Sequence, residues 1–246
     1  ARVLAERGHE PVLYESGSRL GGNLIPGGAP SFKEDDLLLA KWYEDELKRL
    51  HVDVHLNSPA DAQLIRDGGF DSVIVATGSR PKLFPLGDDN RVYAAEQVLL
   101  GEKDPGDTVV VVGAGLVGCE LALDLAMKGR NVTIVEALPK IMAVNGPLCS
   151  ANRDMLERLI PFNGIDVRCG AKVTGYRDGI LTAEIDGTEE SIPADSVVLC
   201  VGYRSENSLY HEVKDETDEI YVLGDAKNVS NIMYAIWDAF EVASHI

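Results

Sequence analysis

Cysteine is scarce in this sequence and never clustered. Cys119, Cys149, Cys169 and Cys200 leave no C-x-x-C and no metal-ligand spacing. An enzyme that passes electrons to a disulfide needs two close thiols, so dithiol chemistry is not expected, and no residue is assigned as a metal ligand. The four are expected as core or near-core thiols in a reducing cytoplasm. Positive charge is also short: 23 Lys and Arg stand against 40 Asp and Glu, for a net charge of −17. That balance argues against nucleic acid or an anionic membrane as a partner, because both need phosphate neutralised by basic side chains. No apolar run approaches the length needed to cross a bilayer, and a soluble, cytoplasmic protein is expected. The five histidines are scattered without partner spacing, and no catalytic acid or base is assigned. The acidic clusters Glu34-Asp35-Asp36, Asp88-Asp89 and Glu189-Glu190 are read as solvated faces and loops.

What is present begins with an ordinary globular composition, 45% hydrophobic and 26% charged over 246 residues, with room for two domains. The densest pattern is TVVVVGAGLVGCELALDLAMKGRNVTIVE, residues 108–136. Val109 to Val112 reads as a parallel strand buried on both faces. Gly113, Gly115 and Gly118 follow as G-x-G-x-x-G: a tight turn, a close backbone approach to pyrophosphate, and close helix–strand packing. Residues 116–128 read as a helix whose N-terminus faces the phosphates, with Gly129 as its stop. A second strand, Val132 to Val135, ends at Glu136, placed to accept from both hydroxyls of an adenine ribose. A carboxylate there repels a 2′-phosphate, which favours NADH over NADPH.

The first fifteen residues, ARVLAERGHEPVLYE, align with residues 122–136, ALDLAMKGRNVTIVE, at five identities: Ala1, Leu4, Ala5, Gly8 and Glu15 fall on Ala122, Leu125, Ala126, Gly129 and Glu136. A helix tail, a glycine, a turn and a strand ending in Glu occur in both. The chain is therefore expected to start inside a second dinucleotide-binding unit and to be part of a longer polypeptide. Gly21-Gly22 follows Glu15 within SRLGGNLIPGG, FDSVIVATGSRP carries Ala76-Thr77-Gly78 after a strand, and EIYVLGDAKN carries Gly224-Asp225 after another. Each alone also suits a surface loop or turn. Together and in this order they resemble the FAD-binding segments of two-dinucleotide flavoproteins, with Asp225 on a ribityl hydroxyl and a following helix aimed at the flavin ring. Residues 33–50 read as a helix with Leu37, Leu38, Trp42, Leu47 and Leu50 near one face, and HVDVHL (51–56) as a strand. Residues 166–185 read as short antiparallel strands, Ser196 to Val201 as a strand ending in Gly202, and Trp42 and Trp237 as packing residues.

The runs YESGSRLGGNLIPGGAPSFKED, IVATGSRP, VVVVGAGLVGCELALDLAMKG, CVGYRSENSLY and YVLGDAKNVSNIMYAIWDAFEVASHI resemble the C-terminal half of the 2-enoate reductase, 2,4-dienoyl-CoA reductase and trimethylamine dehydrogenase family of NADH:flavin oxidoreductases. The resemblance implies an α/β fold of two doubly wound Rossmann-like domains. An NAD(P)H domain, residues 106–205, is inserted in an FAD domain made of 1–105 and 206–246. It further implies NAD(H) on Gly113, Gly115, Gly118, Glu136 and Gly202, and FAD on Glu15, Arg19, Gly21, Gly22, Thr77, Gly78, Gly224 and Asp225. FMN and a 4Fe–4S cluster belong to an N-terminal barrel that is not in this sequence. Hydride would pass from NADH to FAD and onward to the barrel, where an enoate or enoyl-CoA type of alkene is reduced. Two other functions stay open: a stand-alone NAD(P)H:FAD electron-transfer subunit, glutamate-synthase-like, and a module that binds an adenine nucleotide without turnover.

Overall fold

The computed structural model describes residues 1–87, 90–143, 148–215 and 219–246; Asp88-Asp89, expected on a solvated loop, lies outside the described residues. The chain forms two compact units. One comprises Ala1–Gly28, Lys33–Arg80 and Arg204–Ile246; the other comprises Pro81–Tyr203 with Ala29–Phe32. The expected α/β class with parallel sheets is found. The expected boundary at residues 105/106 differs from the observed division, because a strand at residues 92–94 hydrogen-bonds into the sheet of the second unit.

Residues 1–81 form α1 (Arg2–Glu6), β1 (Val12–Tyr14), α2 (Leu24–Gly27), α3 (Glu34–Arg49), β2 (Asp53–His55), α4 (Ala62–Gly68), β3 (Val73–Val75) and β4 (Ser79–Pro81). Helix α3 has Glu34, Asp35 and Asp36 in its first turn and Lys48 and Arg49 in its last, matching the helix dipole at both ends. Its buried residues are Ala40 and Leu47; Leu47 lies on the expected apolar face, which is corrected at two positions, Leu38 being 61% and Trp42 46% exposed. Trp42 sits instead under the Arg2 guanidinium, 5.5 Å from the ring centre, and edge-on to Tyr43. Asp61 starts α4 by accepting the Leu64 amide at 2.8 Å, and Gly69 in the left-handed region (φ 61°) ends it.

Residues 92–199 form β5 (Val92–Ala94), α5 (Ala95–Leu99), β6 (Thr108–Val112), α6 (Leu116–Met127), β7 (Asn131–Glu136), α7 (Ser150–Phe162), β8 (Asp166–Cys169), β9 (Ala171–Arg177), β10 (Ile180–Ile185), β11 (Thr188–Pro193) and β12 (Ser196–Leu199). Five strands form one parallel sheet in the order β5-β12-β6-β7-β8. The chain steps outward from β6 to β8 through α6 and α7, then returns to place β12 on the other side of β6, so the strand order reverses beside β6. Strand β8 was expected to be antiparallel. It pairs parallel with β7, because α7 carries the chain back to the starting edge before β8 begins, as parallel pairing requires. Within residues 166–193 the antiparallel part is the three-stranded sheet β11-β10-β9. Val109, Val110 and Val111 are fully buried. Their odd and even members feed two separate clusters, one under α6 and α7 and one against the β9–β11 meander. Each such valine contributes roughly 1.5–3 kcal/mol by burial.

Residues 203–245 form β13 (Tyr203–Ser205), α8 (Ser208–Val213), β14 (Ile220–Val222) and α9 (Ile232–His245). β1 pairs parallel with β2, and β14 parallel with β3. Asn231 caps α9 by accepting the Tyr234 amide at 3.1 Å. Trp237 is 58% exposed, against the packing role expected of it, and meets the Tyr234 ring edge-on on α9.

The repeat seen in the sequence is a repeat of backbone chemistry. After α1 the amides of Gly8 and His9 donate to the carbonyls of Ala5 and Leu4; after α6 those of Gly129 and Arg130 donate to Ala126 and Leu125. Both are the double hydrogen bond of a Schellman stop, and both glycines have positive φ, 92° and 83°.

Candidate functional site

The site in the second unit lies at the carboxyl end of β6, where the strand order reverses, the position at which open α/β sheets bind ligands. Gly113 has φ 99°, and a Cβ there would sit 2.5 Å from the Cys200 carbonyl oxygen. A Cβ on Gly118 would sit 2.0 Å from the Gly113 carbonyl oxygen. These two glycines let α6 start directly against β6 and β12. Gly115 is different: a Cβ there would meet nothing within 4 Å. It is the N-cap of α6, and among the described residues no side chain makes a cap hydrogen bond there, which leaves the first-turn amides without that acceptor.

Glu136 ends β7 and is only 8% exposed. One carboxylate oxygen accepts the Ala114 amide at 2.5 Å, and the other accepts the Leu138 amide at 2.8 Å. The carboxylate is therefore pinned beside the glycine turn, with lone pairs left over, since an ionised carboxylate has about four acceptor positions. Met142, buried with φ 51°, donates its amide to the Ala114 carbonyl at 2.7 Å. Gly202 follows β12 with φ 94°, and its carbonyl accepts the Lys82 amide at 2.9 Å. Gly113, Gly115, Gly118 and Glu136 thus come together; Gly202 lies two residues beyond the Cys200 carbonyl that abuts Gly113.

In the first unit the expected residues fall into a cluster and two outliers. The Thr77 hydroxyl donates to the Glu206 carbonyl, and the Glu206 amide donates to the Gly78 carbonyl at 2.9 Å. Ser79 donates to Asp225 at 2.8 Å and accepts from the Asn23 amide group at 3.2 Å, which ties the Gly21-Gly22 turn to the same network. The second Asp225 oxygen accepts the Ser230 amide at 3.0 Å. Gly224 donates to Asp238 at 2.9 Å. Glu15 stands apart, bonded to the Gly17 amide at 2.6 Å, and Arg19 is exposed on the loop beyond it. Sequence reasoning missed Asn23, Ser79 and Asp238. The first two sit one residue beyond expected motifs and could have been flagged, whereas Asp238, fourteen residues past Gly224 on α9, carries no local signal.

The cysteines are all free. Burial pushes the Cys119 thiol up to about 12, with Glu120 and Glu136 adding to it, and raises Cys200 further still. Such thiols are poor nucleophiles at neutral pH. Cys149 is exposed, so the expectation of four buried or near-buried thiols is corrected: it precedes α7 on the solvent side of the chain. Among the described residues no helix is long and apolar enough to cross a membrane.

The family model of the pyridine nucleotide-disulphide oxidoreductases matches residues 59–239. The chain belongs to this family. Its kinship is with the enoate-reductase type of flavin oxidoreductase, as expected. Cinnamate reductase of Clostridium sporogenes is 48% identical across all of this chain and 37% of its own length. NADH oxidase of Thermoanaerobacter brockii is 37% identical across all of the chain and 39% of its own length. The solved complex of 2-naphthoyl-CoA reductase with 2-naphthoyl-CoA superposes with a TM-score of 0.92 at 24% identity, over the whole chain and 37% of that protein. The chain spans well under half the length of these relatives.

Proposed function

We propose that the chain is the nucleotide-binding portion of an NADH-dependent flavin oxidoreductase, with NADH on the second unit and FAD on the first. The observation that carries this reading is the turn at Gly113–Gly118 with the Glu136 carboxylate pinned beside it. The uncapped start of α6 and the open approach at Gly115 suit a pyrophosphate, and a buried carboxylate with spare lone pairs suits a ribose diol. The Asn23–Ser79–Asp225 network fixes three loops that carry the expected flavin contacts, and Gly21, Gly22, Thr77, Gly78 and Gly224 are the backbone positions that would lie against FAD. When bound, NADH supplies a hydride and FAD accepts it. The chain's own part is to orient the two nucleotides. The printed activity of cinnamate reductase supports an onward path to an alkene of the enoate or enoyl-CoA type, and the family resemblance alone implies FMN and a 4Fe–4S cluster for that path.

The test is calorimetric and optical. The 246-residue chain should bind NADH more tightly than NADPH, and with saturating FAD and no oxygen NADH should bleach the flavin absorbance. Absence of NADH binding refutes the reading; binding without bleaching selects the binding-only alternative.

A further inference from the structure

The first unit repeats the strand layout of the second with one strand fewer. The offset of 121 sets β1 on β7. A second offset, 124, sets FDSVIVATGSRP (70–81) on ADSVVLCVGYRS (194–205): Asp71, Ser72, Val73, Gly78 and Arg80 fall on Asp195, Ser196, Val197, Gly202 and Arg204. Strand β3 thus matches β12. Each matched strand keeps one parallel neighbour: β1 pairs with β2 as β7 does with β8, and β3 with β14 as β12 does with β5. What β7 and β12 also share is β6, which lies between them and bonds to both. Among the described residues no strand pairs with the matching edges of β1 and β3, which stay in two separate pairs. Two-stranded pairs this short have little stability alone.

The backbone groups on those edges are the ones β6 satisfies in the second unit. There the Gly113 amide donates to the Val135 carbonyl at 2.8 Å, and the Cys200 amide to the Val112 carbonyl at 2.7 Å. The counterparts are the Tyr14 carbonyl and the Ala76 amide. The Glu15 amide bonds to His55 on β2, and the Val73 amide to Glu219 beside β14, so the alternating groups of Tyr14 and Ala76 point to the opposite, open edges. At the start of β6, Asp195 accepts the Asp107 and Thr108 amides at 2.9 and 2.8 Å. Its match, Asp71, is exposed and accepts no such bond among the described residues. Burial agrees. Ile134, Val135, Val197 and Val198 are fully buried, whereas Val12 is 39% exposed and Leu13, Tyr14, Val73 and Ile74 are only half-buried.

We propose that β1 and β3 are the two sides of a seat for one further parallel strand, supplied by the polypeptide leading into α1. The strand is built as β6 is: a β-branched run that enters with two amides against Asp71 and leaves by a glycine turn into the helix. Its register follows from the two matches. Val110, Val111 and Val112 lie between Thr133 and Val197, Ile134 and Val198, and Val135 and Leu199. The incoming residues therefore lie between Val12 and Val73, Leu13 and Ile74, and Tyr14 and Val75. This rests on the FAD reading of the first unit and deepens it, since the strand brings that unit a phosphate-binding turn.

Hydrogen exchange tests it on the 246-residue chain and on the same chain with a copy of residues 104–121 joined ahead of Ala1, the extension that the offset of 121 puts in register. In the unextended chain the Ile74 and Ala76 amides should exchange at least about tenfold faster than those of Val198 and Cys200. Equal protection overturns the seat without any extension. The extension should slow Ile74 and Ala76 at least about tenfold. Val111→Pro within the copied segment alone should abolish the slowing, because proline cannot serve a central strand. Amides that are not slowed, or slowing that survives the proline, refute the strand. Gel filtration checks the other occupant: an unextended chain that is dimeric, with these amides protected, gives the seat to a second copy and overturns the assignment. NADH titration separates this from the nucleotide reading. Failure of every form to bind NADH counts against the proposed NADH site, while the exchange result still decides the seat.

Discussion

Replacing Glu136 by glutamine separates the two jobs its carboxylate is given. The side chain is nearly inaccessible, and its oxygens accept the Ala114 and Leu138 amides at 2.5 and 2.8 Å. Glutamine keeps one acceptor but turns an NH₂ towards the other amide, so one charge-assisted bond is exchanged for two donors facing each other. That costs about 2–3 kcal/mol of folding free energy. The charge also discriminates between cofactors. A unit charge about 4 Å from another is worth about 4 kcal/mol at an effective dielectric of 20. A 2′-phosphate placed against Glu136 is disfavoured on that scale, and neutral glutamine removes the repulsion. The variant should lose about tenfold in NADH affinity, and its ratio of NADPH to NADH affinity should rise by at least about tenfold. Glu136→Arg should move the ratio further in the same direction. Urea unfolding measures the first effect and calorimetry with both nucleotides the second. A ratio unchanged within about twofold refutes Glu136 as the ribose partner, even if stability falls as calculated.

The two glycines of α6 should respond oppositely. Gly118→Ala puts a Cβ 2.0 Å from the Gly113 carbonyl, and urea unfolding should show a loss of at least about 1–3 kcal/mol; Gly115→Ala meets nothing within 4 Å and should stay within about 1 kcal/mol while weakening NADH in titration. Burial acts to raise Asp238, but the Lys227 ammonium and the Gly224 amide outweigh it and leave the carboxyl below its usual range. Its contribution is present above the unfolded value near about pH 4 and is lost as pH falls through the lower folded value. Urea midpoints across that window should fall for wild type and lose that slope in Asp238→Asn. His51 ends α3 with φ 55° and is exposed; His51→Gly should raise stability by up to about 1 kcal/mol, seen as a melting temperature higher by about 2–4 °C.

The legible parts of this molecule are those where one residue type is required. Gly113 and Gly118 are readable because a Cβ would collide with backbone, and Val109 to Val111 because a strand buried on both faces admits no polar residue. The parts that escaped reading depend on what lies across the sheet. Nothing in DVRC distinguishes a strand parallel to β7 from one starting a hairpin; α7 decides it, from outside the segment. Leu38 and Trp42 look like core at helical spacing, yet both are exposed; of the expected face Leu47 is buried, together with Ala40, which the apolar pattern did not mark. Amphipathic spacing identifies a helix and leaves the buried arc open by one residue in each direction. Asp238 was invisible for a related reason, since it acts on a loop that only tertiary structure brings to it.

The internal repeat shows how few identities a shared architecture needs. Leu4 and Leu125 offer the carbonyl that closes the helix stop, Gly8 and Gly129 take the positive φ, and Glu15 and Glu136 both accept the amide two residues on, from Gly17 and Leu138. Most of the identities thus fall where backbone geometry or a buried carboxylate leaves little choice. Between them, Val12-Leu13-Tyr14 and Thr133-Ile134-Val135 need only be apolar enough and branched enough for a strand, and they share no residue. Glu136 spends its second oxygen on the Ala114 amide, inside the glycine turn. That bond couples the acid to the turn that would hold a phosphate, so a change at Glu136 acts on the pyrophosphate seat as well as on the ribose contact.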